Sequence, residues 1–346
     1  MSNLVKKVVL SDGIYEIDYE SLANKPDVHG ITVSTSKPTS TDGNDGDLWF
    51  VYALPLAEAS WADISSVSAS GAAKNVYAVG DTKAVELSGT VGTLSLNTTL
   101  YAYILGFDHN VANGESSGIT FGTFKTAATD GKDVCLIDSS YGSNISDGTK
   151  AFNINHWGNS SSSPYNTNYG GWKGCDMRYD ILGSTNVAPS GYGSTPTTSR
   201  VGYDPSSYNI ITDPVANTLL SAFPQSLKEV MKPNTKYTDN VGNSSNVLAN
   251  VTTSVDYLWL LSEYEVLGTR TSANQYEQNY QAQYQYYADG GSTVKYNYSS
   301  TGTAAPWWER SPFCDNAVSF CRVHGNGSAS YIGSRISGGL ATAFLV

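Results

Sequence analysis

The feature that most constrains this chain is its last forty-one residues, Pro306 to Val346, in which a bulky frame brackets a small, polar middle. The stretch opens on Trp307-Trp308, continues through Arg310-Ser311-Pro312, and closes on the apolar run Leu340 to Val346, which predicts a buried final strand. Between these anchors, Phe313 to Gly339 is punctuated by Gly325, Gly327, Gly333, Gly338 and Gly339. Val318 to Val323 reads as a short strand with Val318, Phe320 and Arg322 on one face. A rigid frame carrying a solvated face is the simplest fold for such a pattern.

The rest of the composition agrees. Only 15% of residues are charged, whereas Gly (33) and Tyr (24) are abundant, so turn formers and strand formers dominate and the expected class is α+β, β-rich. The net charge of -11 argues against nucleic acid or an anionic membrane as partner, since both select a basic surface. No apolar window approaches a bilayer span, and the Lys6-Lys7 start carries no secretion signal. Cys135, Cys175, Cys314 and Cys321 form no C-x-x-C pair and are expected to be reduced and buried.

Residues 1–55 read as a separate module, with strands over Leu4 to Leu10 and Gly13 to Tyr19 about a Ser11-Asp12-Gly13 turn, and another near Gly43 to Tyr52. Residues 56–75 read as a linker with a short helix near Leu56 to Ile64, and 76–346 as the main domain. Short strands are expected at 84–87, 92–96, 99–105, 119–125, 134–138 and 257–261, with clear alternation in 99–105. The Ser-, Asn- and Gly-rich region 139–215 is expected to be a long surface insertion. Helices are predicted over Pro214 to Val230, broken at Pro224, over Met177 to Leu182, and over Tyr276 to Tyr287, where Tyr276, Tyr280, Tyr284 and Tyr287 would share a face.

Catalytic patterns are sparse. His109 and His156 lack an H-x-x-x-H partner, Ser311 has no G-x-S-x-G elbow, and Gly325-Asn326-Gly327 follows a strand without opening a helix. Glu263 and Glu265 form an acid pair only if the strand continues; a helical turn capped by Ser262 on Glu265 separates them. No catalytic residue, metal or cofactor is therefore expected.

The order W-W-x-R-S-P, F-C-x-V, G-x-G-x-A and G-x-A-x-A-F resembles the C-terminal module of phage and prophage proteins of low-GC Gram-positive bacteria. Upstream pieces fit the same family: Val76 to Asp81, Leu105 to Asn110, Gly170 to Lys173, Met177-Arg178 and Asp256 to Glu263. Near the start, Asp18 to Pro26 and Gly43 to Tyr52 resemble elements of phage fibre and tail proteins. The resemblance implies a C-type-lectin-like fold, similar to the variable receptor-binding proteins of diversity-generating retroelements and, more distantly, to the formylglycine-generating enzyme. Cys314 and Cys321 lack the motif that accompanies that enzyme's active cysteines.

What the resemblance implies in function is a virion adhesin, assembled in the host bacterial cytoplasm. It would dock on other virion proteins through residues 1–55, form a homotrimer, and bind a bacterial surface glycan or protein. The implied ligand-binding residues are Phe313, Val318, Ser319, Arg322, His324, Asn326, Ser328, Ser330, Tyr331, Ile332, Ser334, Arg335 and Ile336. Apart from Asn326, already an Asn, each is reachable from an Asn codon by adenine mutagenesis, and Arg310 to Val346 contains no Lys, Glu, Gln, Met or Trp. A small polar loop region avoids long charged residues for other reasons too, so an ordinary fixed adhesin stays open. So do a capsid or tail decoration protein and a cell-wall glycan-acting enzyme.

Overall fold

The computed structural model describes Val8–Leu10, Gly13–Tyr15, Ile31–Ser34 and Leu48–Val51, then residues 53–145, 148–156, 166–191 and 200–346. Strands β1 (Val8–Leu10) and β2 (Gly13–Tyr15) pair antiparallel, as the Ser11-Asp12-Gly13 signal requires; β3 (Ile31–Ser34) and β4 (Leu48–Val51) pair parallel. The whole Asp18 to Pro26 element lies outside the described residues.

Residues 56–75 are not a linker. Helix α1 (Trp61–Ala69) is opened by a reciprocal capping box, in which Ser60 Oγ accepts from the Asp63 amide at 3.1 Å and Asp63 Oδ2 accepts from the Ser60 amide at 3.0 Å. Such a cap contributes about 1 kcal/mol. The helix then buries Trp61 and Ile64, with Trp61 edge-on to Phe121 at 5.4 Å and to Phe344 at 6.1 Å. Ala-Ser composition suggests a connector, but two large apolar residues three apart suffice to dock one helical face. Helix α2 (Ala73–Val76) follows.

Next come β5 (Thr82–Val91), β6 (Leu94–Phe107), β7 (Ile119–Lys125), β8 (Asp133–Cys135) and α3 (Asp176–Asp180). The chain continues with α4 (Leu219–Ala222), α5 (Gln225–Lys228), β9 (Asn234–Asp239), β10 (Val251–Asp256), β11 (Trp259–Leu260), α6 (Glu263–Leu267) and α7 (Gln285–Ala288). It closes with β12 (Tyr296–Asn297), β13 (Ser300–Ala304), β14 (Trp307–Pro312), β15 (Ser319–Val323), β16 (Ala329–Gly333) and β17 (Thr342–Leu345). The protein is thus α+β and β-rich.

The three expected strands over 84–105 are one long hairpin. β5 and β6 run in unbroken register from Val91↔Leu94 to Thr82↔Tyr103 about a two-residue Gly92-Thr93 loop. Gly92 has φ +54°, and a Cβ there would lie 2.1 Å from the Lys150 carbonyl oxygen, so only glycine fits. β7 pairs with β6 along one edge; its other edge is shared, Thr120 to Gly122 pairing with β17 and Phe124-Lys125 with β8. β11 extends the sheet beyond β17, and β12 with β13 beyond β8. Phe121 and Phe344 stack at 5.5 Å at its centre.

Two further expectations change. Residues 139–215 are no surface insertion, because among the described residues Phe152, Ile154, Trp172, Met177, Ile181 and Leu182 are fully buried. The tyrosine-rich 276–287 is not a continuous helix: only a 3-10 turn (Glu277–Asn279) and α7 form. The segment between them is bonded elsewhere, with the Tyr284 amide donating to the Glu265 carbonyl at 2.9 Å and Gln281 Nε2 to the Tyr237 carbonyl at 2.6 Å. Tertiary partners outbid a weak helical preference.

Candidate functional site: a pocket above a buried ionic frame

Strand β14 is the frame. It pairs with β15 through Trp307↔Val323, Trp308↔Arg322 and Pro312↔Phe320, so four steps on β14 match two on β15, and the surplus makes a bulge. All six residues from Trp307 to Pro312 are buried. The indole N–H of Trp307 donates to the Thr293 carbonyl at 3.0 Å and that of Trp308 to the Phe152 carbonyl at 2.8 Å. Ser311 Oγ donates to Glu277 Oε2 at 2.6 Å.

Arg310 anchors an ionic cluster. Its guanidinium grips both oxygens of Glu265, at 2.9 Å for Oε1, and donates to Thr238 Oγ1 at 2.7 Å and the Leu260 carbonyl at 3.0 Å. Lys236 Nζ lies 2.8 Å from Glu265 Oε1 and 2.7 Å from Glu115 Oε1. Burial alone would raise Glu265, but Arg310 and Lys236 outweigh it and hold the carboxyl well below the usual range. Glu265 Oε2 also accepts from the Ser262 amide at 3.0 Å, completing the capping box of α6.

The helical turn therefore separates the acid pair. Glu263 turns to the Ser272 and Ala273 amides at 2.9 and 2.8 Å, and both carboxyls are wholly buried, so neither reaches a substrate. His109, Glu115 and Glu265 bring ligand atoms within 4.8 Å of one another. The cation seat there is already filled by the Lys236 ammonium, and Glu115 accepts further from Asn110 and Asn234 at 3.0 Å each. Burial lowers His109 to about 4, leaving the imidazole neutral, stacked on Tyr284 at 3.8 Å. Glu309 is fully buried with neither carboxyl oxygen bonded among the described residues; burial, then Glu263 and Glu277, push it far above the usual range, which favours the neutral acid. All four cysteines are free and buried.

The thirteen residues expected to bind ligand do not form one face. The register of β15 with β16 puts Arg322 opposite Ser330 and Phe320 opposite Ile332 on the side of Trp308, and Cys321 opposite Tyr331 on the other. On that second side Tyr331, 49% exposed, lies flat on Phe313 at 3.8 Å. Val318, His324, Asn326 and Ser328 are exposed, the last three in the β15–β16 turn, where Asn326 Oδ1 accepts from Ser328 Oγ at 2.7 Å. Phe313, Ser319 and Ser334 are buried, and Ser334 Oγ accepts from the Thr167 amide at 2.8 Å. Arg335 is half-buried, its carbonyl accepting from the Ile145 amide at 2.8 Å.

Arg322, Ile332 and Ile336 meet around a cavity of about 260 Å³ whose floor is Trp307 and Trp308. Its remaining wall is Tyr141, Gly142, Pro306, Ser337 and Gly338. Sequence reasoning missed Tyr141: its segment reaches the pocket through the Asn144↔Ile336 bridge and the Gly142 amide to the Ser337 carbonyl at 2.8 Å, pairings with no local signal.

The family described as a domain of unknown function, DUF6273, matches residues 132–346, a span that holds β14 to β17 and the whole pocket. No curated protein and no solved structure matches the chain.

Proposed function

The chain belongs to the DUF6273 family, and from that premise and the geometry around β14 we propose that it is a bacteriophage virion adhesin whose domain over 76–346 is C-type-lectin-like. Residues 1–55 dock on the particle, and the β15–β16 face meets a glycan or protein of the bacterial surface. The observation that carries this reading is the contrast in one small sheet: a wholly buried strand, Trp307–Pro312, supports neighbours that expose Val318, His324, Asn326, Ser328 and Tyr331. Exposed aromatic and aliphatic side chains among small polar ones are typical of adaptable recognition surfaces. Exchanging such surface residues costs within about 0.5 kcal/mol, so the frame can present many ligand sets. Display as a trimer raises the effective concentration of weak sites.

The reading is tested by adding the purified protein to host cells before phage challenge. Blocked adsorption supports it. A particle-bound protein that neither binds cells nor competes is a decoration protein instead, and turnover of cell-wall glycan makes it an enzyme. Sequencing the gene from many particles separates a diversified face, with changes at adenines within Phe313 to Ser337, from a fixed one.

A further inference from the structure

We propose that the pocket over Trp308 is an anion subsite, in which Arg322 takes the phosphate or carboxylate of a small polyhydroxylated group. This places a ligand subsite on the Trp308 side of the β14–β16 sheet, opposite Tyr331, and rests on the adhesin reading for its polyhydroxylated body.

The inference starts from how this acidic chain treats its arginines. Each fully buried guanidinium has a carboxylate: Arg178 has Asp256 at 2.5 Å and Asp204 at 3.2 Å, Arg200 has Asp176, and Arg310 has Glu265. Arg322, like the half-buried Arg270 and Arg335, has among the described residues no carboxylate within 4.0 Å, and of the three it is the one that lines the cavity. Its Nε donates to Ser330 Oγ at 3.3 Å, and its terminal nitrogens have no protein acceptor among the described residues. Burial pulls this guanidinium below its ordinary value and the Tyr141 phenol pulls it part of the way back, so its charge is partly desolvated with no carboxylate beside it. A guanidinium held this way matches an oxyanion through two parallel N–H bonds.

The acid bonded to the wall residue Ser337 does not compete. Asp138 is 4% exposed and turned inward, accepting from Ser337 Oγ at 2.8 Å, the Phe152 amide at 2.9 Å and the Ser140 amide at 3.0 Å. The walls supply the rest: Tyr141, Ile332, Ile336 and the Trp308 floor suit the apolar face of a sugar ring or polyol. At about 260 Å³ the cavity lies just under the roughly 300–1,000 Å³ of drug-sized sites, so it takes one unit rather than a chain.

The test is a titration of the full chain, at low salt, with glycerol 3-phosphate and with glucuronate, using glycerol and glucose as neutral controls. Saturable binding of at least one anion, absent for both neutrals, is expected; the preferred anion tells phosphate from sugar acid. Arg322→Gln should weaken it by about ten- to a hundredfold, the loss of a charged hydrogen-bonded pair, while near-ultraviolet dichroism and the unfolding midpoint stay as in the parent. Arg322→Lys, keeping charge without the fork, should fall between. Binding of neither anion by folded protein, or equal binding by Arg322→Gln, overturns the inference. Adsorption to cells without anion binding defeats the pocket and spares the adhesin; anion binding through Arg322 without adsorption does the reverse.

Discussion

Replacing Arg310 by methionine, similar in length and uncharged, strips Glu265 of its bidentate partner and frees the Thr238 hydroxyl and the Leu260 carbonyl. Glu265 keeps Lys236 at 2.8 Å and the Ser262 amide at 3.0 Å, so it is weakened rather than orphaned. Breaking one partner out of a buried ion pair costs about 3–5 kcal/mol. For a urea slope of about 2–3 kcal/mol/M, that moves the midpoint down by roughly 1–2.5 M at pH 7. Acid supplies the sharper check. A carboxyl held below its ordinary 4.5 stabilises the fold above pH 4.5, and that contribution is lost as pH falls through the depressed value. Arg310→Met removes most of the depression, so the gap between the two proteins should be widest at pH 7 and narrow steadily below pH 4.5. Urea titrations of both proteins at pH 7, 5 and 3.5 measure it. A loss under about 1 kcal/mol at pH 7, or a gap that widens on acidification, would refute the account of Arg310 as the frame's electrostatic anchor.

Glu277 behaves oppositely: burial lifts it to about 7 against bonds from the Asp239 amide and Ser311, so its contribution is present below pH 4.5 and lost as pH rises through 7. Glu277→Gln should flatten that dependence, worth about 3 kcal/mol across the window, in the same urea titrations. Trp308→Ala should cost about 3–5 kcal/mol and give insoluble protein, since the ring is 1% exposed and its N–H holds the Phe152 carbonyl; a soluble variant with the parent's unfolding midpoint would show that the ring is not part of the frame. Burial pushes the Cys135 and Cys175 thiols up to about 12, so a thiol reagent should leave them unlabelled in native protein at pH 8 and label all four cysteines in urea.

What the sequence made legible was local. Strand β7 occupies the predicted 119–125 because its side chains pack on both faces as one continuous run, and Ser262 caps Glu265 because that chemistry spans three residues. Trp61 and Ile64 were hidden in an Ala- and Ser-rich stretch whose docking depends on Phe121 and Phe344, far along the chain. The ionic cluster was illegible for the same reason: Glu115 comes from the loop before β7, Lys236 from β9, Glu265 from α6 and Arg310 from β14, and no spacing rule joins them. Among the expected ligand residues, Val318 falls in the bend before β15, whereas the strand alternation that places Phe320 and Arg322 on one side also dictates that Tyr331 must lie on the other, since its partner is Cys321.

The divided edge of β7 governs how this protein must be made. Its hairpin partner β6 is close by in sequence, but Thr120, Phe121 and Gly122 wait for Leu345, Phe344 and Ala343. During that wait the edge offers unpaired amides flanked by the apolar rings of Phe121 and Phe124, a template for any other strand in solution. Closing so long a loop is slow, because its entropy is lost before the pairing rewards it. Refolding should therefore be a race between β17 and a neighbouring molecule, with yield falling as protein concentration rises.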